Sequence, residues 1–317
     1  MKQLFIKKND NINLEDEKYN LLLRAQNNTL LALSKALKVQ VGDLEFKLGA
    51  ELEFYILDKN NKKITIDSPK IIEIFNKLNN KYFDLNIDTI EEEDGFNQFE
   101  VQFNTTNDAV SLANNIVRFR KILATMCDVD FRAKPFINDA GSSLHFHISV
   151  YYKGINLFSK DNPRDDSEYH YLPLYWSMAG MLDTILPAMR IFAPTENCYY
   201  RYLYPKQQKH IHYPTGICWG FNNRTCAIRI PKKPTEDPDN CRIEHRVCSS
   251  MSDPFLDLFV ILYGMEIGFK NKMECPEPIY GNAFDIFNDN IIPLPKNIKT
   301  ANKLFEEGCF SRLITFL

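Results

Sequence analysis

Four short apolar runs in this chain carry, at alternating positions, side chains that can bind a metal or an anion. They are GAELEFYI with Glu51 and Glu53, FNQFEVQF with Glu100, GSSLHFHISV with His145 and His147, and CRIEHRV with Arg242, Glu244 and Arg246. Successive side chains of a β-strand point to opposite faces, so residues i and i+2 line one face together. One face of a sheet can therefore collect carboxylates, imidazoles and guanidiniums while the other carries Leu144, Phe146, Ile148, Ile243 and Val247. That combination suits a nucleotide held by metal ions.

Helical patterns surround these runs. Residues 15–38 have acids early, Lys late and apolar residues at helical spacing, and similar patterns occupy 107–126, 172–192 and 254–272. The last follows Pro254 in an SDP start signal. Strands set between helices predict an α+β domain with a largely antiparallel sheet, one face open to ligand and one packed on helices. Segments 160–171 and 231–240 are polar and Pro-rich, hence loops; the second lies between two arginine-bearing strands, where a substrate cover can sit.

Composition removes several classes of function. A net charge of -3 and a pI near 6.1 give no electrostatic case for binding nucleic acid. The start lacks the apolar run of a signal peptide, and the most apolar late stretch is interrupted by Asp257 and Glu266, so no membrane span is expected. The eight cysteines include no CxxC pair. They fit small core residues of a reduced, cytoplasmic protein.

Ligand type sharpens the metal reading. Glu51, Glu53, Glu93, Glu100 and Glu244 with His145 suit Mg²⁺ or Mn²⁺ better than zinc, which favours sulfur or several imidazoles. In EDGFNQFE, Gly95 permits a turn that brings Glu93 and Glu100 together, although Glu91 and Glu92 leave the register of the first acid open. Charge is also segregated: residues 197–235 contain no acid, yet carry Arg201, Lys206, Lys209, Arg224, Arg229, Lys232 and Lys233. The bland account is a solvated basic edge. The sharper one is an anion clamp, since guanidiniums grip phosphate and carboxylate bidentately. Two divalent ions, these five carboxylates and Arg201, Arg224, Arg229, Arg242 and Arg246 leave a net charge of about +4, which balances the ~4 negative charges of a nucleoside triphosphate.

In chain order, GAELEFYI, EDGFNQFE, GSSLHFHIS, NCYYR, WGFNNRTCAIRIP and RIEHR resemble the successive signatures of the glutamine synthetase catalytic domain. The resemblance implies a curved antiparallel sheet of the glutamine-synthetase/guanido-kinase-like type, with ATP entering from one side and glutamate from the other. It implies that Glu53, Glu93 and Glu100 hold one ion and that Glu51, His145 and Glu244 hold the second. His147, Arg229 and Arg242 would contact the nucleotide phosphates; Arg201, Arg246 and the Gly141 loop the glutamate; and Arg224 the transferred phosphoryl group. The implied reaction is attack of the substrate carboxylate on ATP to give γ-glutamyl phosphate, followed by displacement of phosphate by ammonia or another amine.

The departures from the family pattern matter as much. The carboxylate that helps bind ammonium in glutamine synthetases proper falls on Gln207, or on Gln208 if the alignment shifts by one. WGFNNRT looks closer to the branch that joins glutamate to larger amines, and Tyr202 or Tyr204 can give such an amine apolar contact. Ala140 stands in place of Asn, Ser143 in place of Gly and Asp253 in place of Asn. Family members also carry a small β-grasp domain that completes a neighbouring subunit's site in a ring. Here residues 1–48 read as a helix and a short strand in its place, with the catalytic domain at 49–317, so any homo-oligomer, of a size the sequence leaves open, is expected not to be a ring in which one subunit's β-grasp completes another's site. A catalytically silent nucleotide- or amino-acid-binding relative and a two-metal phosphohydrolase are the alternatives, the latter leaving the arginines without a role.

Overall fold

The computed structural model describes residues 14–60, 62–159, 172–203, 212–233, 236–284 and 291–316. The start of the chain to residue 13, the loop expected at 160–171, residues 234–235 of the loop expected at 231–240, and Tyr204, Lys206, Gln207, Gln208 and Lys209 lie outside the described residues.

Helices α1 (Leu14–Leu37), α2 (Pro69–Lys81), α3 (Ala109–Met126), α4 (Leu172–Phe192), α5 (Glu196–Tyr200), α6 (Pro254–Asn271), α7 (Ile298–Glu307) and α8 (Phe310–Leu313) alternate with eleven strands. The strands are β1 (Leu44–Ile56), β2 (Ile87–Glu92), β3 (Gln98–Thr106), β4 (Val129–Asp130), β5 (Leu144–Tyr152), β6 (Ile155–Asn156), β7 (Gly216–Ile217), β8 (Trp219–Phe221), β9 (Ile228–Ile230), β10 (Ile243–His245) and β11 (Ile292–Pro293). Seven of them form the main sheet in the order β2-β3-β1-β5-β10-β9-β8, with β4 on β1 and β6 on β5. Every pairing in it is antiparallel except β8 with β9. The expected α+β architecture is thus present.

The four anticipated helices are α1, α3, α4 and α6. Asp108 and Asp253 start α3 and α6 by accepting the N–H of Val110 and Phe255, which satisfies donors a helix end leaves open. Asp253 also takes an ion pair from Lys18 at 2.6 Å.

Alternation in the strands builds one apolar face. Phe46, Leu48, Ala50, Leu52 and Phe54 of β1 stand opposite Val150, Ile148, Phe146 and Leu144 of β5 and Phe103, Val101 and Phe99 of β3. All are buried. Phe119 of α3 closes over this face, its ring 5.7 Å from Phe54 and 5.8 Å from Phe103. Behind it α4 and α6 approach so closely that a Cβ on Gly180 would lie 2.0 Å from the Gly264 carbonyl oxygen, and one on Gly268 would lie 1.9 Å from that of Trp176. Thr29 of α1 donates to the Leu262 carbonyl at 2.8 Å, fixing α1 onto α6. β1 runs unbroken across position 48, so the helix and strand of the first residues belong to the same sheet and core.

Asp257 and Glu266 are buried in α6, and among the described residues no helix is long and apolar enough to cross a membrane. All eight cysteines are free: Cys198, Cys218, Cys226, Cys241 and Cys248 are buried, while Cys127, Cys275 and Cys309 are partly exposed.

Candidate active site

Register turns the alternating polar residues into a row across the other face. Glu53 pairs with Glu100, Glu51 with His145, and Glu244 with both His147 and Arg229. Directly opposed side chains on neighbouring strands have Cβ atoms about 5 Å apart. Five strands therefore bring acids, imidazoles and a guanidinium to one line, and all of that line except His147 forms the wall of a cavity of about 240 Å³.

Glu93 reaches this cavity through the turn between β2 and β3. Its N–H bonds to the Gln98 carbonyl at 3.0 Å. The sequence suggests Gly95 as the residue that lets the chain turn, but the left-handed position is Asn97, at φ 63°. Gly95 is needed for space: a Cβ there would lie 2.1 Å from the Tyr55 hydroxyl.

The ligand atoms of Glu51, His145 and Glu244 lie within 4.8 Å of one another, and so do those of Glu53, Glu100 and His145. His145 thus belongs to both groups, while Glu93 lines the cavity beside them. His145 Nδ1 is buried and makes no hydrogen bond, facing Glu51 Oε2 at 3.5 Å and Glu244 Oε1 at 3.6 Å. A bare imidazole nitrogen among carboxylates, with no thiolate in either group, fits a divalent cation that takes mostly oxygen ligands.

Burial and mutual repulsion divide these acids. Burial pushes Glu53 up to about 8, reinforced by Glu93 and opposed by hydrogen bonds from Ser143. Burial, then Glu51, Glu53 and Glu93, push Glu100 to about 10. Glu93 is raised too, by burial. Burial works on Glu51 in the same sense, but His147 and His145 outweigh it and hold that carboxyl far below its usual range. For Glu244, fully buried, burial is overcome by Arg246, the two histidines and Arg229, which bring it to about 2. Burial and Arg246 lower His145 to about 4. Acids that resist ionising while they crowd together are what a cation would relieve.

The guanidiniums frame the row. Arg229 donates to Glu244 Oε2 at 2.7 Å, and Arg246 to Glu244 Oε1 and to the His212 carbonyl. Arg201 is buried, donates to the Val247 carbonyl at 2.5 Å and lines the cavity. Gly141 stands against it, where a Cβ would meet Arg201 Cγ at 2.7 Å. Arg224 is exposed at the rim. His147 and Arg242 sit to one side: Arg242 Nε donates to His147 Nδ1 at 3.0 Å, and His147 Nε2 lies 2.9 Å from Glu51. Arg242 and Arg229 also line a second hollow of about 650 Å³ with Phe221, Asn222, Lys232 and Lys233.

Several cavity residues carried no functional expectation. Gln98 donates to the Gly141 carbonyl, Gln102 to Glu100, and Asp94 pairs with His212 at 3.2 Å. The acid-free stretch 197–235 therefore does not give an acid-free wall, because Asp94 arrives from the β2–β3 turn.

The profile described as glutamine synthetase, catalytic domain, matches residues 31–314. The chain belongs to the glutamine synthetase family. It is 32% identical over 195 residues to gamma-glutamylputrescine synthetase PuuA of Escherichia coli (strain K12), covering 59% of this chain and 38% of that protein. It is 26% identical over 262 residues to a glutamine synthetase of Thermococcus kodakarensis, covering 77% and 56%. The chain thus spans roughly two fifths to three fifths of the length of these curated relatives. Among solved structures, a GmaS/ADP complex superposes with a TM-score of 0.69 at 22% identity, covering 88% of this chain and 68% of that one, which shows a shared fold.

Proposed function

We propose that this chain is an ATP- and metal-dependent ligase that joins glutamate to an amine through γ-glutamyl phosphate, with an amine larger than ammonia preferred. The observation that carries this reading is the row Glu100, Glu53, Glu51, His145, Glu244 on one sheet face, framed by Arg201, Arg224, Arg229 and Arg246. A phosphohydrolase would need the acids but would leave this frame without a role.

Glu51, His145 and Glu244 would hold one Mg²⁺ or Mn²⁺ and Glu53, Glu93 and Glu100 a second. Such ions supply positive charge against the transferring phosphoryl oxygens. Arg229, Arg242 and His147 bind the nucleotide phosphates, and the hollow beside Phe221 lies next to two of them. Arg201, Arg246 and the Gly141 backbone orient the glutamate. Arg224 stabilises charge on the moving phosphoryl group as the γ-carboxylate attacks, and exclusion of water protects the acyl phosphate until the amine arrives.

Preference for a larger amine is supported by the 32% identity to a gamma-glutamylputrescine synthetase and by the absence of any acid from residues 197–235; Asp94, which reaches the wall from the β2–β3 turn, is solvent-exposed. A small ammonium ion leaving water needs an opposite charge at close range. ADP release with saturating glutamate and Mg²⁺, measured over a panel of amines, tests the proposal. An extended primary amine should give the highest kcat/KM. Ammonium giving the highest value would overturn the larger-amine reading, and no stimulation by any amine would overturn the ligase reading.

A further inference from the structure

Ser143 stands at the joint between the two ligand groups. Its backbone N–H donates to Glu53 Oε2 at 2.9 Å, its hydroxyl lies 2.8 Å from Glu53 Oε1, and the same hydroxyl lies 2.8 Å from His145 Nε2. The residue is only 3% exposed, so water does not compete freely for these bonds. A serine hydroxyl has one proton to give, and a carboxylate that ligates a cation can only accept. The proton therefore goes to Glu53. What Oγ offers His145 is a lone pair, and only a protonated Nε2 can use it. The proton of the neutral imidazole then sits on Nε2, and Nδ1 is left with the bare lone pair that a cation requires. Nδ1 is the atom that is buried, makes no hydrogen bond and faces Glu51 and Glu244.

We infer that Ser143 is a positioning residue that links the two ion groups, because the hydroxyl bond it gives to Glu53 of one group fixes the His145 tautomer needed by the other. The inference rests on the two-ion reading above. With the first group occupied, Glu53 is held as a carboxylate that only accepts, so the hydroxyl proton stays directed at it and Nδ1 is left free for the second cation. Partners of a metal-bound imidazole act this way, fixing its tautomer and ring orientation. A glycine, the residue of the family pattern at this position, has a backbone N–H but no hydroxyl. Coupling by this route is thus a feature of Ser143 in this chain.

Two readouts test it on the full chain. With ¹⁵N-labelled histidine and saturating Mg²⁺, NMR should show His145 protonated at Nε2 and unprotonated at Nδ1 in the parent, and a mixture of tautomers in Ser143→Ala. In Mn²⁺ calorimetry, Ser143→Ala should bind the second ion about 10-fold more weakly, as expected for loss of a partner to a metal ligand. Ser143→Thr, which keeps a hydroxyl, should restore both signals, and a loss of packing alone would not be rescued in this way. A parent protonated at Nδ1, or a Ser143→Ala protein that binds both ions as tightly as the parent, would overturn the inference while leaving the two-ion site standing. A parent that binds no divalent ion would overturn the two-ion site and the inference with it.

Discussion

The two faces of β1 are built from the same thirteen residues and follow opposite rules. On one face Phe46, Leu48, Leu52 and Phe54 are almost wholly buried against β3, β5 and the helices. Burial of such side chains stabilises by about 2 kcal/mol each. On the other face Glu51 and Glu53 are drawn out of water beside Glu100, and two of the three protonate more readily than a free carboxylate. The apolar face holds the protein together. The polar face carries an electrostatic cost at Glu53 and Glu100 that a bound cation would offset.

The largest effect should come from the apolar side. Replacing Gly268 by Val puts a Cβ 1.9 Å from the Trp176 carbonyl oxygen, and both partners are helix backbone. Overpacking of this kind costs about 3 kcal/mol or more. Gly268→Val should therefore lose its cooperative thermal transition, although the residue is on α6 and touches no ligand. A normal melting curve would break the division of labour between the faces.

The polar side should show the reverse pattern, with a kinetic loss and little change in stability. Arg242→Ala removes one preorganised donor and should slow ADP formation by roughly 10²-fold to 10³-fold. Arg242→Lys should recover part of this, since a point charge cannot reproduce a guanidinium fork that now bonds both His147 and the Asn240 carbonyl. A Lys variant as fast as the parent would remove Arg242 from the phosphate clamp and sharpen the assignment toward Arg229.

How far the sequence reveals this arrangement differs between the faces. The alternation in GAELEFYI and GSSLHFHISV announces both the strands and the polar row, because period two is a local property. The pairing of Glu53 with Glu100 and of Glu51 with His145 is not local, and it emerges only when strands far apart in the chain set their register. Asp94 near His212 is hidden for the same reason. Ser143 reads in the sequence only as a replaced glycine; its bond to Glu53 depends on where β1 lies beside β5, while its bond to His145 joins residues two apart. The helix α2 was within reach, since Ser68 and Pro69 form a start signal and Ile71, Ile74 and Leu78 follow at helical spacing.

The most direct test of the claim that cations redeem the polar face is thermal unfolding of the parent and Glu53→Gln from about pH 5 to about pH 9, with chelator or with Mg²⁺. Burial raises Glu53 from its ordinary 4.5 to about 8 in the folded chain. Between those values the unfolded chain releases a proton that the folded chain keeps, so this group's contribution is favourable at low pH and is lost as pH rises through the folded value. The parent in chelator should lose stability across that window more steeply than Glu53→Gln, whose amide stays neutral. Mg²⁺ should restore the parent, increasingly so toward high pH, and do much less for the variant. Parallel pH profiles, with Mg²⁺ stabilising both proteins equally, would contradict the account.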